Sequence, residues 1–138
     1  MPDTYVFPGR YDSLAEIAAL IRRAGQELGL SPLDQYAVEM AVDEACTNII
    51  EHAYGGEGLG NIELTLNLET DALRIILKDH GKPFNPEKVK PPNIKAPLKR
   101  RSGRGLGLYF IYQWMDEVYF ETSEGTNTLV MTKRKRSS

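Results

Sequence analysis

Apolar residues change their spacing several times along the chain, and each change marks an element. Thr4–Phe7 alternates weakly and stops at Pro8-Gly9, which predicts a short edge strand. Leu14, Ile17, Ala18, Ile21 and Ala24 recur at helical spacing. Asp12 or Ser13 is the expected cap, Glu16 fits a capping box with Ser13, and Gly29 is the expected stop. A second helix is announced by Ser31 as N-cap, Pro32 at the first helical position and Asp34 in the first turn. Tyr36, Ala37, Met40, Ala41, Ala45 and Ile49 carry it to about Ala53, before Gly55-Gly56 and Gly58.

Ile62, Leu64, Leu66 and Leu68 then alternate strictly with polar residues, as in a half-buried strand. Thr70-Asp71 makes a turn, and Leu73–Leu77 is a strand that ends at Lys78-Asp79. From Gly81 to Gly105 the periodicity vanishes in a stretch with five prolines, the kind of long segment that serves as a lid or stays disordered. Leu106–Met115 reads as a helix, Val118–Thr122 and Thr128–Thr132 as strands, and Glu124-Gly125 as the turn between them. With no internal repeat, this predicts one α/β domain over residues 1–138: a two-layer α+β sandwich with a mostly antiparallel sheet covered on one face by helices.

Composition narrows the functional classes. The 138 residues carry 17 Lys plus Arg against 19 Asp plus Glu, a net charge of −2 that gives no reason to expect nucleic-acid binding. The basic run Lys133–Arg136 reads as a solvated, frayed tail over 133–138. The single cysteine, Cys46, lies in an apolar helical pattern and is expected to be buried and reduced. With no bilayer-length apolar stretch and no signal-like N-terminus, the expectation is a cytoplasmic protein without a membrane anchor.

Three pieces carry candidate chemistry. Glu44 and Asn48 stand one turn apart on the second helix, in line with Tyr36 and Met40, which look like core residues. A buried carboxylate and amide need partners. An amide oxygen suits Mg²⁺, and a carboxylate can deprotonate a nucleophile. Taken alone, such a pair is more often the ordinary surface of a helix. Asp79-His80-Gly81 closes a strand, where a carboxylate can meet a flat ligand such as adenine; alone, it is more often a common Asp turn. Gly103-Arg104-Gly105-Leu106-Gly107-Leu108 opens a helix, which is the form of a phosphate site. It is neither a Walker loop nor a dinucleotide fingerprint, and Lys99, Arg100, Arg101 and Arg104 just before it are lid cations or a solvated basic loop.

The order of these pieces resembles the GHKL superfamily of ATP-binding domains, nearest to the bacterial anti-sigma factor serine/threonine kinases. Val42–Tyr54, Asp79–Pro86, Gly103–Leu108 and Gly125–Thr128 carry the resemblance, which spans the chain from the first helix to the last strand. It implies ATP and Mg²⁺ as cofactors. Asn48 would hold the metal against the phosphates, and Glu44 would be the general base. Asp79 would receive the adenine amino group, with Gly81 allowing close approach. Gly105, Leu106 and Gly107 would line the phosphates, and residues 82–104 would form the lid. A threonine supporting the adenine site falls at Thr128, or one residue earlier at Asn127. The resemblance also implies a STAS-type anti-anti-sigma protein as phosphorylated partner, a sequestered sigma factor and a homodimer. The rival expectation is a non-catalytic module that uses ATP only to fix its shape. A histidine-kinase catalytic domain is a third reading, for which the chain lacks dimerisation helices.

Overall fold

The computed structural model describes residues 3–83 and 110–136. Chain order is β1 (Asp3–Pro8), α1 (Ser13–Leu28), α2 (Pro32–Asn48), a π-helical turn (Ile49–Ala53), β2 (Asn61–Leu68), β3 (Ala72–Asp79), a helical turn at residues 110–114, β4 (Glu117–Ser123) and β5 (Thr126–Arg134). The strands form one sheet in the order β1-β2-β3-β5-β4, and all four pairings are antiparallel.

The strict alternation of β2 explains the layering. Ile62 and Leu64 are fully buried, and Leu73, Ile75 and Leu77 on β3 and Met131 on β5 continue the same face. Ile17 and Ile21 of α1 and Val38, Ala41, Val42 and Ala45 of α2 cover it. Each such Ile, Leu, Val or Met side chain stabilises the fold by about 1.5–3 kcal/mol relative to exposure. Val6 and Tyr119, at 62% and 58% exposed, point from the outer strands toward the uncovered face. The result is the expected two-layer α+β sandwich.

Local signals hold in part. Ser31 caps α2 by accepting from the Asp34 amide at 3.1 Å, behind Pro32. Gly29, at φ 86°, ends α1 with its amide donating to the Gly25 and Gln26 carbonyls. The start of α1 departs from the expectation. Asp12 makes no side-chain cap, and Ser13 is buried, with its hydroxyl donating to the Pro8 carbonyl at 2.7 Å. The hydroxyl ties the helix back to β1 and leaves the capping box with Glu16 unmade. The Glu124-Gly125 turn has φ of 52° and 79°, the left-handed pair that matches strand twist in a two-residue hairpin.

Two further expectations change. Tyr36 is 61% exposed and Met40 only half-buried, so the line Tyr36–Met40–Glu44–Asn48 borders the core and does not belong to it. The core side of α2 runs instead through Val38, Ala41, Val42, Ala45 and Cys46. The basic run is not a frayed tail from Lys133. That residue is 4% exposed, donates to the Trp114 carbonyl at 2.8 Å, and faces Asp34 at 3.7 Å. Arg136 also meets Asp34, at 3.5 Å, and Asp116 at 3.3 Å. The end of β5 is thereby tied to the first turn of α2. Cys46 is fully buried as expected, and burial, helped by Asp43, pushes its thiol up to about 12.

Candidate functional site: a cleft between α2 and the end of the sheet

A cleft opens between α2, its π-helical end and the ends of β3 and β5. Its walls are mostly apolar: Ala45, Ile49, Ala53, Leu77, Ile111 and Leu129. Among the described residues, three polar side chains enter it, Asn48, Asp79 and Asn127. A flat apolar slot with a few convergent polar groups is the usual form of a small-molecule site.

Strand register builds the deep end. Asp79 is the last residue of β3 and lies opposite Asn127 on β5. Both are almost fully buried, at 5% and 3% exposed. Asp79 Oδ1 accepts from the Gly81 amide at 2.9 Å and from Asn127 Nδ2 at 2.8 Å. Asn127 Nδ2 also donates to the Lys82 carbonyl at 2.9 Å, and its Oδ1 accepts from the Thr122 hydroxyl at 2.8 Å. These bonds fix which way the amide faces. Asp79 Oδ2 has no donor among the described residues. A buried carboxylate with one oxygen unsatisfied is costly unless a ligand donor completes it.

Gly81 is required here for a reason the sequence does not state. A Cβ on it would lie 2.4 Å from the Ala53 carbonyl oxygen and 2.5 Å from the carbon. The contact is backbone and cannot rotate away, so the turn after β3 closes on the helix end only with glycine.

Thr128 does not support this end. It alternates to the opposite sheet face, half-buried and paired with Lys78 and Glu121, while Asn127, Leu129 and Met131 face the helices. Of the two, it is Asn127, the one-residue alternative, that lines the cleft.

The other end is differently made. Asn48 is the last residue of α2, half-buried at the cleft wall, and its side chain has no hydrogen bond among the described residues. Glu44, one turn earlier and outside the cleft lining, is half-buried and likewise unpaired among them. Desolvation raises its carboxyl pKa above the ordinary range, with Asp43 and Glu51 adding in the same direction. No group of three or more His, Cys, Asp or Glu among the described residues forms a metal cage. An unpaired amide oxygen beside open space suits a hard cation whose other ligands are phosphate and water. Gly105, Leu106, Gly107 and the lid residues 84–104 lie outside the described residues.

Tyr54 is a residue whose place sequence reasoning misses. Its hydroxyl donates to the Asn61 carbonyl at 2.6 Å and accepts from the His80 amide at 2.9 Å. It stands at the end of the Val42–Tyr54 motif, but a tyrosine in a helix–loop junction carries no signal of which loop it holds.

A family model described as a histidine kinase-like ATPase domain matches residues 7–133. A serine-protein kinase RsbW of Bacillus mycoides is 35% identical over 130 residues, spanning 91% of this chain and 80% of the relative. One of Bacillus cereus is 34% identical over the same shares. Among solved structures, the RsbU and RsbW domains of a Mycobacterium tuberculosis protein align with a TM-score of 0.68 at 19% identity, covering 97% of this chain and 32% of that longer one. The nucleotide-free catalytic domain of the histidine kinase ThkA aligns at 0.57 with 17% identity, covering 96% and 97%. These two share the fold. No helix among the described residues is long and apolar enough to cross a membrane.

Proposed function

The chain belongs to the histidine kinase-like ATPase domain family, and from that premise we propose that it is an ATP-dependent serine/threonine kinase of an anti-sigma regulatory switch. Its substrate is a hydroxyl on a STAS-type anti-anti-sigma protein, and its second partner is a sigma factor held by the unphosphorylating form. The observation that carries the reading is Asp79: a buried carboxylate with one oxygen saturated by Gly81 and Asn127 and the other without a donor among the described residues, at an apolar slot.

That free oxygen accepts the adenine amino group, and Ile49, Leu77, Ile111 and Leu129 cover the ring. Asn48 would hold Mg²⁺ by its amide oxygen. When bound, the metal would supply charge neutralisation to the phosphates. Glu44 accepts the proton of the attacking hydroxyl, and its raised pKa makes it a stronger base than an ordinary surface glutamate. Gly105, Leu106 and Gly107 are assigned to the phosphates on the resemblance, as is the homodimer. A carboxylate placed one turn from the metal-holding amide favours catalysis over the rival reading of a passive nucleotide-binding module.

The test is phosphotransfer. The protein is incubated with labelled ATP, Mg²⁺ and a cognate STAS protein, and the product is mapped by mass spectrometry. Phosphoserine or phosphothreonine that disappears with Glu44→Ala supports the reading. Nucleotide binding without transfer to any candidate partner overturns the kinase claim in favour of a binding module.

A further inference from the structure

The turn that carries Asp79 is not held by the sheet alone. Three successive amides after it are each taken by a different group. The His80 amide donates to the Tyr54 hydroxyl at 2.9 Å, the Gly81 amide to Asp79 Oδ1 at 2.9 Å, and the Lys82 amide to the Ala53 carbonyl at 2.8 Å. Two of these partners belong to the end of the helix that carries Asn48. Helix carbonyls there are orphaned by geometry, and the turn after β3 takes one of them.

The π-helical end makes this possible. The Tyr54 amide bonds to the Ile49 carbonyl, five residues back, at 2.9 Å. A π-turn inserts one residue into the helical ladder and rotates the residues beyond it by roughly 100° relative to an uninterrupted α-helix. With that rotation the Tyr54 ring lies against Gly60, where a Cβ would approach to 2.2 Å, and its hydroxyl reaches both Asn61 and His80. Desolvation raises the hydroxyl pKa, so it stays protonated and serves both bonds, donating one and accepting the other.

We propose that Tyr54 is a positioning residue for nucleobase selection: its hydroxyl, through the His80 amide, fixes the carboxylate of Asp79 relative to the helix end at Asn48. This rests on Asp79 being the adenine acceptor. Without the hydroxyl the ring still fills its place, but of the two bonds that tie the turn to the helix end only that from the Lys82 amide to the Ala53 carbonyl remains. Asp79 then loses alignment with the 6-amino group, and the phosphate contacts remain.

Tyr54→Phe separates this from a purely structural role. Affinities for ADP and IDP with Mg²⁺ are measured by calorimetry, because the 6-oxo group of inosine gives Asp79 no hydrogen to accept. The expected result is an ADP affinity about tenfold weaker, an IDP affinity changed less than about twofold, and a kcat at saturating ATP within about twofold of wild type. Equal weakening of both nucleotides, or of neither, overturns the proposal. A wild-type protein that binds ADP and IDP equally well instead removes Asp79 as the adenine acceptor, which is a separate failure. Amide exchange in the unmodified protein gives a second check that needs no variant. The His80 amide is expected to exchange at least about tenfold more slowly than its free-peptide rate although the residue is exposed; exchange at the free-peptide rate contradicts the bond.

Discussion

The two ends of the cleft are built on opposite terms. At the sheet end, Asp79 and Asn127 are buried and saturated except for one carboxylate oxygen. At the helix end, Asn48 and Glu44 are half-buried and have no partner among the described residues. The first is a finished mould and the second an unfinished one. On the proposed reading, a base of fixed shape is met by a rigid acceptor, whereas phosphates and a cation would bring their own charge and complete the other end. Selectivity for the nucleotide would then reside in the sheet, and chemistry in the helix.

Substitutions at each end should break different functions. Glu44→Gln removes the base and keeps the shape, so kcat for phosphotransfer is expected to fall about 10²–10⁴-fold, with ADP affinity within about threefold, in a single-turnover assay. The same variant sharpens the contrast through stability. Glu44 has a raised folded pKa, so its ionised form is destabilising above that pKa and the penalty is relieved as pH falls through it. Gln carries no such penalty, so the variant's Tm near pH 7 should rise slightly while its activity is lost.

At the sheet end, Asp79→Asn replaces an acceptor with an amide and is expected to weaken ADP about 10–100-fold, as for a hydrogen bond to a charged group. Calorimetry measures it, and kcat at saturating ATP should change far less than affinity. Asn127→Ala should follow with about a tenfold loss, because it leaves Asp79 Oδ1 with one donor fewer. Thr128→Ala, one residue away on the other sheet face, should lie within about twofold of wild type. A larger effect at 128 than at 127 would reverse the assignment made from the strand register.

The smallest expected effect is on pH dependence. The acid limb of kcat/KM should begin above the range of an ordinary glutamate, because Glu44 must be ionised to act. Glu51→Gln removes one of the two negative neighbours that raise it, so the limb should move to lower pH. Both proteins see the same titration of ATP itself, so the difference between their profiles isolates Glu44.

Most of the fold is legible in the sequence because its signals are local. The alternation from Ile62 to Leu68, the Ser31-Pro32 start and the Gly29 stop need no distant partner, and each predicts its element. Ser13 misleads because its hydroxyl finds the Pro8 carbonyl across a loop. Tyr36 misleads because helical spacing reports a stripe without saying how far the sheet extends beneath it. Lys133 resembles a tail residue because nothing in a basic run announces that Asp34 and the Trp114 carbonyl wait nearby. The site divides the same way. Asp79, Asn48 and Glu44 stand out through motif order. Choosing between Asn127 and Thr128 needs the strand register, since a one-residue shift sends a side chain to the other face. The need for glycine at 81 comes from a backbone contact with Ala53, distant in sequence.

The division of labour between the two ends is tested most directly by titrating Asn48→Ala and the unmodified protein with adenosine, and with ADP in the presence and absence of Mg²⁺. The account predicts that adenosine affinity stays within about twofold, because the sheet end is intact, while the Mg²⁺ enhancement of ADP binding disappears in the variant. An enhancement that survives the loss of Asn48, or an adenosine affinity that falls in parallel with that of ADP, would contradict it.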